Sequence, residues 1–365
     1  MERTATERYA RPLPCPVDLP GAWPLAGTAL GFREVAVLTR GAPPEYLPAE
    51  AAMAVYPEIA GAIGLAAGPR ADLPGLAFGR PTVMGVVNVT PDSFSDGGLF
   101  DTPVSAVEHA LALADAGASV LDIGGESTRP GAEPVPPEAE AARVLPVIEG
   151  LLAAGCTVPV SIDTRNAATA EAARLAGAQI FNDVSALTHD PASGAVAARY
   201  AAGGGAVCLM HARGDPRSMQ RQAQYEDVLL DVYDALEDRL SAAMAAGVPR
   251  AQVLLDPGIG FAKDLEQNLA LIRGLSLFHG LGAPILLGVS RKRFIGTIGG
   301  AERPADRMPG SIAAGLGGLA QGAHLLRVHD VVETVQAIRI WQALGEAPSI
   351  PLSPDPDEAA RKTPL

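Results

Sequence analysis

A (β/α)8 barrel with a small N-terminal extension is the fold this chain predicts, on three observations. From Pro81 onward, short apolar β-like runs alternate with helix-like runs. There are eight of each, at the spacing that parallel crossovers need. Most β-like runs also end on or beside a carboxylate, amide or cation, and in a closed barrel all such ends meet at one mouth. A doubly wound open sheet is the runner-up, and eight matched units favour closure.

The β-like runs are Thr82–Val87, Ser119–Ile123, Val158–Ile162, Gln179–Asn182, Ala206–Met210, Gln252–Asp256, Pro284–Val289 and Ala323–Val328. Helix-like runs cover 103–117, 137–154, 166–176, 191–202, 223–246, 264–273, 304–321 and 331–344. Two connections, Thr90–Phe100 and Ser127–Pro136, are long and rich in Gly, Pro, Ser and Asp, the composition of lids over a site. A third polar stretch, His211–Gln222, follows the fifth run. Residues 1–80 are rich in Pro, Ala and Gly, with no dense polar motif. Within them Glu34–Arg40 reads as a strand and Pro48–Ala67 as a helix interrupted by a proline. They form either a small α/β appendage or a partly ordered arm. Plugging the barrel, extending a dimer interface and regulation stay open as their role. The barrel is expected over 81–345 and a polar tail over 346–365.

The chain has 365 residues, 48% of them hydrophobic, enough to bury one large barrel core. Its formal charge of −13 argues against nucleic-acid and anionic-membrane partners. Lys263, Arg291, Lys292, Arg293, Arg327 and His329 nevertheless follow late β-like runs, so cations gather where the mouth would be. Cys15, Cys156 and Cys208 show no CxxC spacing and read as free thiols in a reducing compartment. No signal segment opens the chain and no stretch reads as a membrane span, so a cytoplasmic location is expected.

Two dense motifs open the barrel region: Asn88-Val-Thr-Pro-Asp-Ser-Phe-Ser-Asp-Gly-Gly98 and Asp122-Ile-Gly-Gly-Glu-Ser-Thr-Arg-Pro-Gly-Ala132. Ser161-Ile-Asp-Thr164, Asn182-Asp-Val-Ser185, Asp256-Pro-Gly-Ile-Gly-Phe261, Ser290-Arg-Lys292 and Arg327-Val-His-Asp330 follow. In this order the seven motifs resemble the dihydropteroate synthase family over about residues 81–345; any one alone would be weak.

The resemblance implies a TIM barrel that joins p-aminobenzoate to 6-hydroxymethyl-7,8-dihydropterin diphosphate and releases pyrophosphate in folate synthesis. It also implies Mg²⁺ dependence and a homodimer. Asp163, Asn182, Asp256 and Lys292 match its pterin ligands; a buried carboxylate accepts two parallel hydrogen bonds from a pterin edge. Met210 is expected as an apolar wall. Arg327, Val328 and His329 match the diphosphate segment, and Thr128 a further contact to the same substrate. Asn88 matches the Mg²⁺-associated amide, with Asp96 as a second ligand. Phe94, Thr128, Arg129, Pro130 and Ser290 match the p-aminobenzoate positions. Asn88, Lys292, Arg327 and His329 are the expected catalytic set. The implied mechanism is dissociative, which suits motifs that contain no nucleophile–base pair.

Three positions depart from the resemblance. Ala212-Arg-Gly-Asp215 stands where an uncharged stretch is frequent, Ala262 replaces a common glycine before Lys263, and Arg293 follows Lys292. Two other readings compete. A pterin-binding methyltransferase would need neither Arg327-Val-His329 nor Ser127-Thr-Arg-Pro130. A binding paralogue without activity would be expected to have lost a phosphate ligand or a loop residue.

Overall fold

The computed structural model describes residues 6–73, 75–89, 103–127, 133–214 and 222–345. Phe94, Asp96, Thr128, Arg129, Pro130 and the tail 346–365 lie outside the described residues.

The N-terminal segment is a small α/β unit. Its sheet holds β1 (Arg8–Pro16), β2 (Trp23–Pro24), β3 (Leu30–Thr39) and β4 (Glu45–Pro48), with β3 central and antiparallel to the others. β1 carries Pro12, Pro14 and Pro16 and lies at the edge, where a missing N–H breaks no ladder. Those prolines hide it from a reading of the sequence. The expected interrupted helix is α1 (Ala49–Val55), a 3₁₀ turn (Pro57–Ile59) and α2 (Ala60–Ala67). Leu25, Phe32, Val35, Ile59 and Ile63 form the unit's own core.

The barrel strands are β5 (Thr82–Asn88), β6 (Val120–Gly124), β7 (Val160–Asp163), β8 (Ile180–Asp183), β9 (Ala206–Met210), β10 (Val253–Asp256), β11 (Leu286–Leu287) and β12 (Leu325–Val328). They pair in parallel in the order β10-β9-β8-β7-β6-β5-β12-β11. A parallel bridge from Leu255 to Ile285 joins the two ends, so the sheet closes as expected. Around it run α3 (Pro103–Asp115), α4 (Pro137–Ala153), α5 (Ala167–Leu175), α6 (Ser193–Ala202), α7 (Val228–Ala245), α8 (Leu265–Arg273), α10 (Met308–Leu319) and α11 (Val331–Gly345). Between β10 and α10, two elements have no counterpart in the sequence reading. α9 (Arg293–Gly299) is short and glycine-bearing, and the 3₁₀ segment Leu275–Leu281 is buried throughout, leaving no amphipathic period to read. Among the described residues no helix is long and apolar enough to cross a membrane. Cys208 is buried, Cys15 and Cys156 are half-buried, and all three are free thiols.

Alternation along each strand separates two layers. Val83, Leu121, Ile162, Phe181, Leu255, Leu326 and Val328 face the helices. Met84, Val120, Ile180, Cys208, Leu254, Leu286 and Leu325 point inward and form the floor of the bore. Leu73, Leu76 and Phe78 join that floor from the N-terminal segment, so this stretch plugs the barrel's lower end. His324 fastens the joint: its Nδ1 accepts Ile285 N–H at 3.1 Å and its Nε2 donates to the Ala26 carbonyl at 3.0 Å. Full burial holds that ring neutral, its pKa lowered to about 4.

Candidate active site

Two residues beyond the floor, the same inward positions turn polar. Asp122 follows Val120, Asn182 follows Ile180, Asp256 follows Leu254 and Arg327 follows Leu325; Asp163 follows Ser161 on β7. Register sets them side by side, with Asp163 level with Gly124 and Asn182, and Asp256 level with Met210. Residues far apart in sequence thus share one site.

Arg327 organises it. Its Nε donates to Asp122 Oδ2 at 2.6 Å and its Nη2 to Asp163 Oδ2 at 2.7 Å. Asn182 Nδ2 donates to Asp122 Oδ2 at 3.1 Å. Asp256 Oδ1 accepts the Gly258 N–H at 2.7 Å. Asp122 Oδ1 and Asp163 Oδ1 are buried and have no protein partner. Unsatisfied buried carboxylate oxygens are costly, and a ligand bearing N–H donors would satisfy them. Gly124 and Gly288 put no side chain beside these carboxylates. A Cβ on Gly124 would stand 3.7 Å from Asp163 Oδ2 and 3.8 Å from Asn88 Oδ1, and one on Gly288 would stand 3.8 Å from Asp256 Oδ2.

Burial pushes the Asp163 carboxyl up to about 7, against the pull of Arg327 and with repulsion from Asp122 adding to the rise. Asp256 is raised by burial too, against the Gly258 hydrogen bond and Lys292. Burial also lifts Asp183 to about 6; it organises the next turn by accepting from Ser185 N–H and Oγ–H and from Leu187 N–H.

The rim is cationic. Lys292 Nζ lies 4.2 Å above the centre of the Phe261 ring. His329 Nδ1 meets Ser290 Oγ at 2.9 Å, and His329 N–H donates to the same oxygen at 3.2 Å. Arg291 grips Asp330 with both Nε and Nη2, at 3.1 and 2.6 Å, which pins the loop after β11 beside the loop after β12. Ser290, Lys292 and His329 therefore come together. Arg291 and Lys263, counted among the mouth's cations, are engaged by the protein. Lys263 donates to the carbonyls of Gly258 and Phe261, each at 2.9 Å, and meets His211 Nδ1 at 2.9 Å.

Asn88 ends β5 half-buried, and Met210 lies inward and buried. Val328 packs in the layer between sheet and helices, so only its backbone can serve a ligand. Asp122 was visible as a strand end, but nothing local marks it as the partner of Arg327 or Asn182. Gly124 lies within a quoted motif, but neither it nor Gly288 is marked by the sequence as standing beside the carboxylates. Among the described residues no group of three or more His, Cys, Asp or Glu is arranged to hold a metal.

Inward carboxylates with free acceptors beneath a cationic rim define a barrel enzyme that takes a flat, N–H-rich ligand carrying an anion. A family model for pterin binding enzymes matches residues 84–329. Dihydropteroate synthase of Neisseria meningitidis serogroup B is 46% identical over 275 residues, covering 74% of this chain and 95% of that one. The structure of Xanthomonas albilineans dihydropteroate synthase with 4-aminobenzoic acid shares 47% identity and a TM-score of 0.70, covering 75% of this chain and 96% of that one. A Yersinia pestis dihydropteroate synthase in complex with a sulfonamide drug gives 42% identity and a TM-score of 0.70, covering 74% and 97%. The chain belongs to the dihydropteroate synthase family, as a transferase of folate biosynthesis.

Proposed function

We propose that dihydropterin diphosphate binds with its ring edge against Asp122, Asp163, Asn182 and Asp256 and its diphosphate toward Lys292, Arg327 and His329. The observation that carries this reading is the pair of unpartnered buried oxygens, Asp122 Oδ1 and Asp163 Oδ1. Ser290 lies beside His329, and in this reading its hydroxyl is the donor to the p-aminobenzoate carboxylate. Phe94, Thr128, Arg129 and Pro130, which lie outside the described residues, are the further p-aminobenzoate candidates on the family resemblance.

Asn88, half-buried at the end of β5, offers an amide oxygen, a hard ligand that would suit Mg²⁺. Asp96 is the further ligand that the sequence offers, and substrate phosphates supply the rest. Bound Mg²⁺ neutralises the diphosphate as charge develops on it.

The reaction is a substitution at the pterin methylene carbon. The C–O bond breaks first, and pyrophosphate leaves with the electron pair toward Arg327 and His329. The cation left behind is delocalised over the pterin ring, held flat by the inward carboxylates. The lone pair of the p-aminobenzoate nitrogen then forms the C–N bond, and the nitrogen loses a proton afterwards. No strong base is required. The cation would be captured by water, so the mechanism requires water to be kept from the methylene carbon.

A homodimer fits the unpartnered apolar face of α10 and α11, where Val332, Ile340 and Leu344 are exposed beside Trp341. Free thiols suit a cytoplasmic setting.

The test is pyrophosphate release by purified protein with Mg²⁺ and both substrates. Arg327 also neutralises Asp122 and Asp163, so its removal would disturb the fold as well as the chemistry. Lys292→Ala is the cleaner control. Release that needs both substrates and falls about 100-fold in Lys292→Ala is expected. Dihydropterin binding without release would sink the reading.

A further inference from the structure

The N-terminal unit reaches the mouth of the barrel at one described place. Arg40, just past β3, lays its guanidinium between two carboxylates of α7. Nη1 meets Asp231 Oδ1 and Nη2 meets Asp234 Oδ2, each at 2.5 Å, and all three side chains are at most 15% exposed. Tyr9 of β1 donates to Asp234 Oδ1 at 2.9 Å. α7 follows β9, so its first turn, which carries Asp231, stands at the active-site end.

Asp231 faces both ways. Its Oδ2 accepts the Glu226 N–H at 3.3 Å and lies 3.6 Å from Arg213 Nη2. Arg213 follows His211 by two residues, donates to the Gln224 carbonyl, and lies 4.0 Å over the Tyr225 ring. Tyr225 Oη donates to the Ala262 carbonyl at 3.0 Å. Ala262 holds φ at +51°, a strained conformation for a residue with a Cβ, directly before Lys263. Lys263 in turn ties His211 to Gly258, whose N–H fixes Asp256. Contacts therefore run unbroken from Arg40 to the pterin carboxylate. Arg213 and Ala262, two of the three departures noted in the sequence, both lie on that path.

We propose that Arg40 is a positioning residue for the pterin pocket, acting through Asp231 and Arg213 on the loop of His211 and through Tyr225 on the loop of Asp256. Asp231 and Asp234 lie three residues apart on one helix face and repel each other. Arg40 neutralises both and fixes the Asp231 rotamer that holds Arg213. Without it Arg213 has no fixed partner on α7, the Tyr225 ring loses its clamp, and the loop bearing Asp256 is less pre-organised for the pterin edge. The N-terminal unit is then part of the substrate site's support as well as a plug.

The inference rests on the pterin reading of the site, and the experiment separates the two. Steady-state kinetics are measured for wild type, Arg40→Gln, Arg40→Lys, Arg213→Gln, the Arg40→Gln/Arg213→Gln double variant, and Tyr9→Phe. Arg40→Gln and Arg213→Gln should each raise KM for dihydropterin diphosphate about fivefold, with kcat within about twofold. The double variant should be no worse than either single one, because both cut the same path. Arg40→Lys should restore most of the loss. Tyr9→Phe removes a hydrogen bond to Asp234 beside Arg40 but leaves the Arg40–Asp231 pair that carries the path, so it should lower Tm and leave KM alone. An unchanged KM in Arg40→Gln, with a fall in Tm like that of Tyr9→Phe, overturns the proposal. Arg213→Gln decides the matter if Arg40→Gln does not fold, since it makes no contact with the N-terminal unit; an unchanged KM there overturns the proposal as well. Wild-type protein that makes no dihydropteroate overturns the reading of the site instead.

Discussion

The floor and the mouth of the bore are built by the same strands, one side-chain period apart. Val120, Ile180, Leu254 and Leu325 are fully or almost fully buried against Leu73, Leu76 and Phe78. About 7 Å further along, Asp122, Asn182, Asp256 and Arg327 stand in the same inward column. The floor leaves one neutral hydroxyl, that of Ser161, without a partner, whereas the mouth leaves two carboxylate oxygens so. The difference teaches that one barrel keeps stability and chemistry apart by a single step along each strand. The lower layer holds the sheet closed so that the upper layer can remain incompletely satisfied until substrate arrives.

The sharpest way to break this division is Asp256→Ala. Two charge-assisted hydrogen bonds to a pterin edge are together worth about 4 kcal/mol, so kcat/KM should fall about 1000-fold. Stability should move by less than about 1 kcal/mol, because losing the Gly258 acceptor is offset by removing a carboxylate that burial disfavours. Kinetics together with urea unfolding check both halves. A variant that unfolded readily yet kept its turnover would erase the distinction.

Phe78→Ala probes the other layer. Phe78 is 2% exposed and packs edge-on to His324, with ring centres 5.5 Å apart. The loss should fall toward the lower end of about 3–5 kcal/mol, since Leu73 and Leu76 can relax into the void. KM for both substrates should stay within about twofold, because the mouth does not touch this ring. A tenfold KM change in protein shown to be folded would mean that the layers are coupled through the strands.

The mouth was far more legible in the sequence than the floor. Asp163, Asn182 and Asp256 end apolar runs, where polar side chains are out of place unless they serve a site, and the structure brings them together. What stayed hidden depends on distance along the chain. The grip of Arg327 on Asp122 spans 205 positions, and no local pattern announces it. The outward face of Val328 follows from strand parity, which a motif match ignores. The plug at Leu73, Leu76 and Phe78 lies in a Pro- and Gly-rich stretch whose apolar residues have no period, because they fill a hole rather than line an element. Of the N-terminal unit, β3 and the helices could be read, while the proline-bearing β1 could be recognised only once its edge position was known.

Protonation gives the subtlest contrast, because burial raises two carboxyls at the mouth toward neutral pH, whereas beside the floor it lowers His324 to about 4. Asp163 rises from an ordinary 3.8 to about 7, and Asp183 rises to about 6. A raised carboxyl pKa means that the folded state binds more protons than the unfolded state between about pH 4 and 7. The stability these groups contribute is fully present below about pH 4 and is lost as pH climbs toward 7. Buried histidines such as His324, held neutral, contribute the opposite slope, so the test is the difference between wild type and Asp163→Asn. Urea unfolding at pH 5.0 and 7.5 should show the variant losing less stability, or gaining more, toward the higher pH. Phe78→Ala, a floor change, should shift both values equally. Pterin N–H donors favour the ionised carboxylate, so dihydropterin binding near pH 6.5 should release a fraction of a proton. Calorimetry in buffers of different ionisation enthalpy reads that number directly. Proton uptake on binding would mean that the pterin meets Asp163 in its neutral form and that the free oxygen serves some other donor.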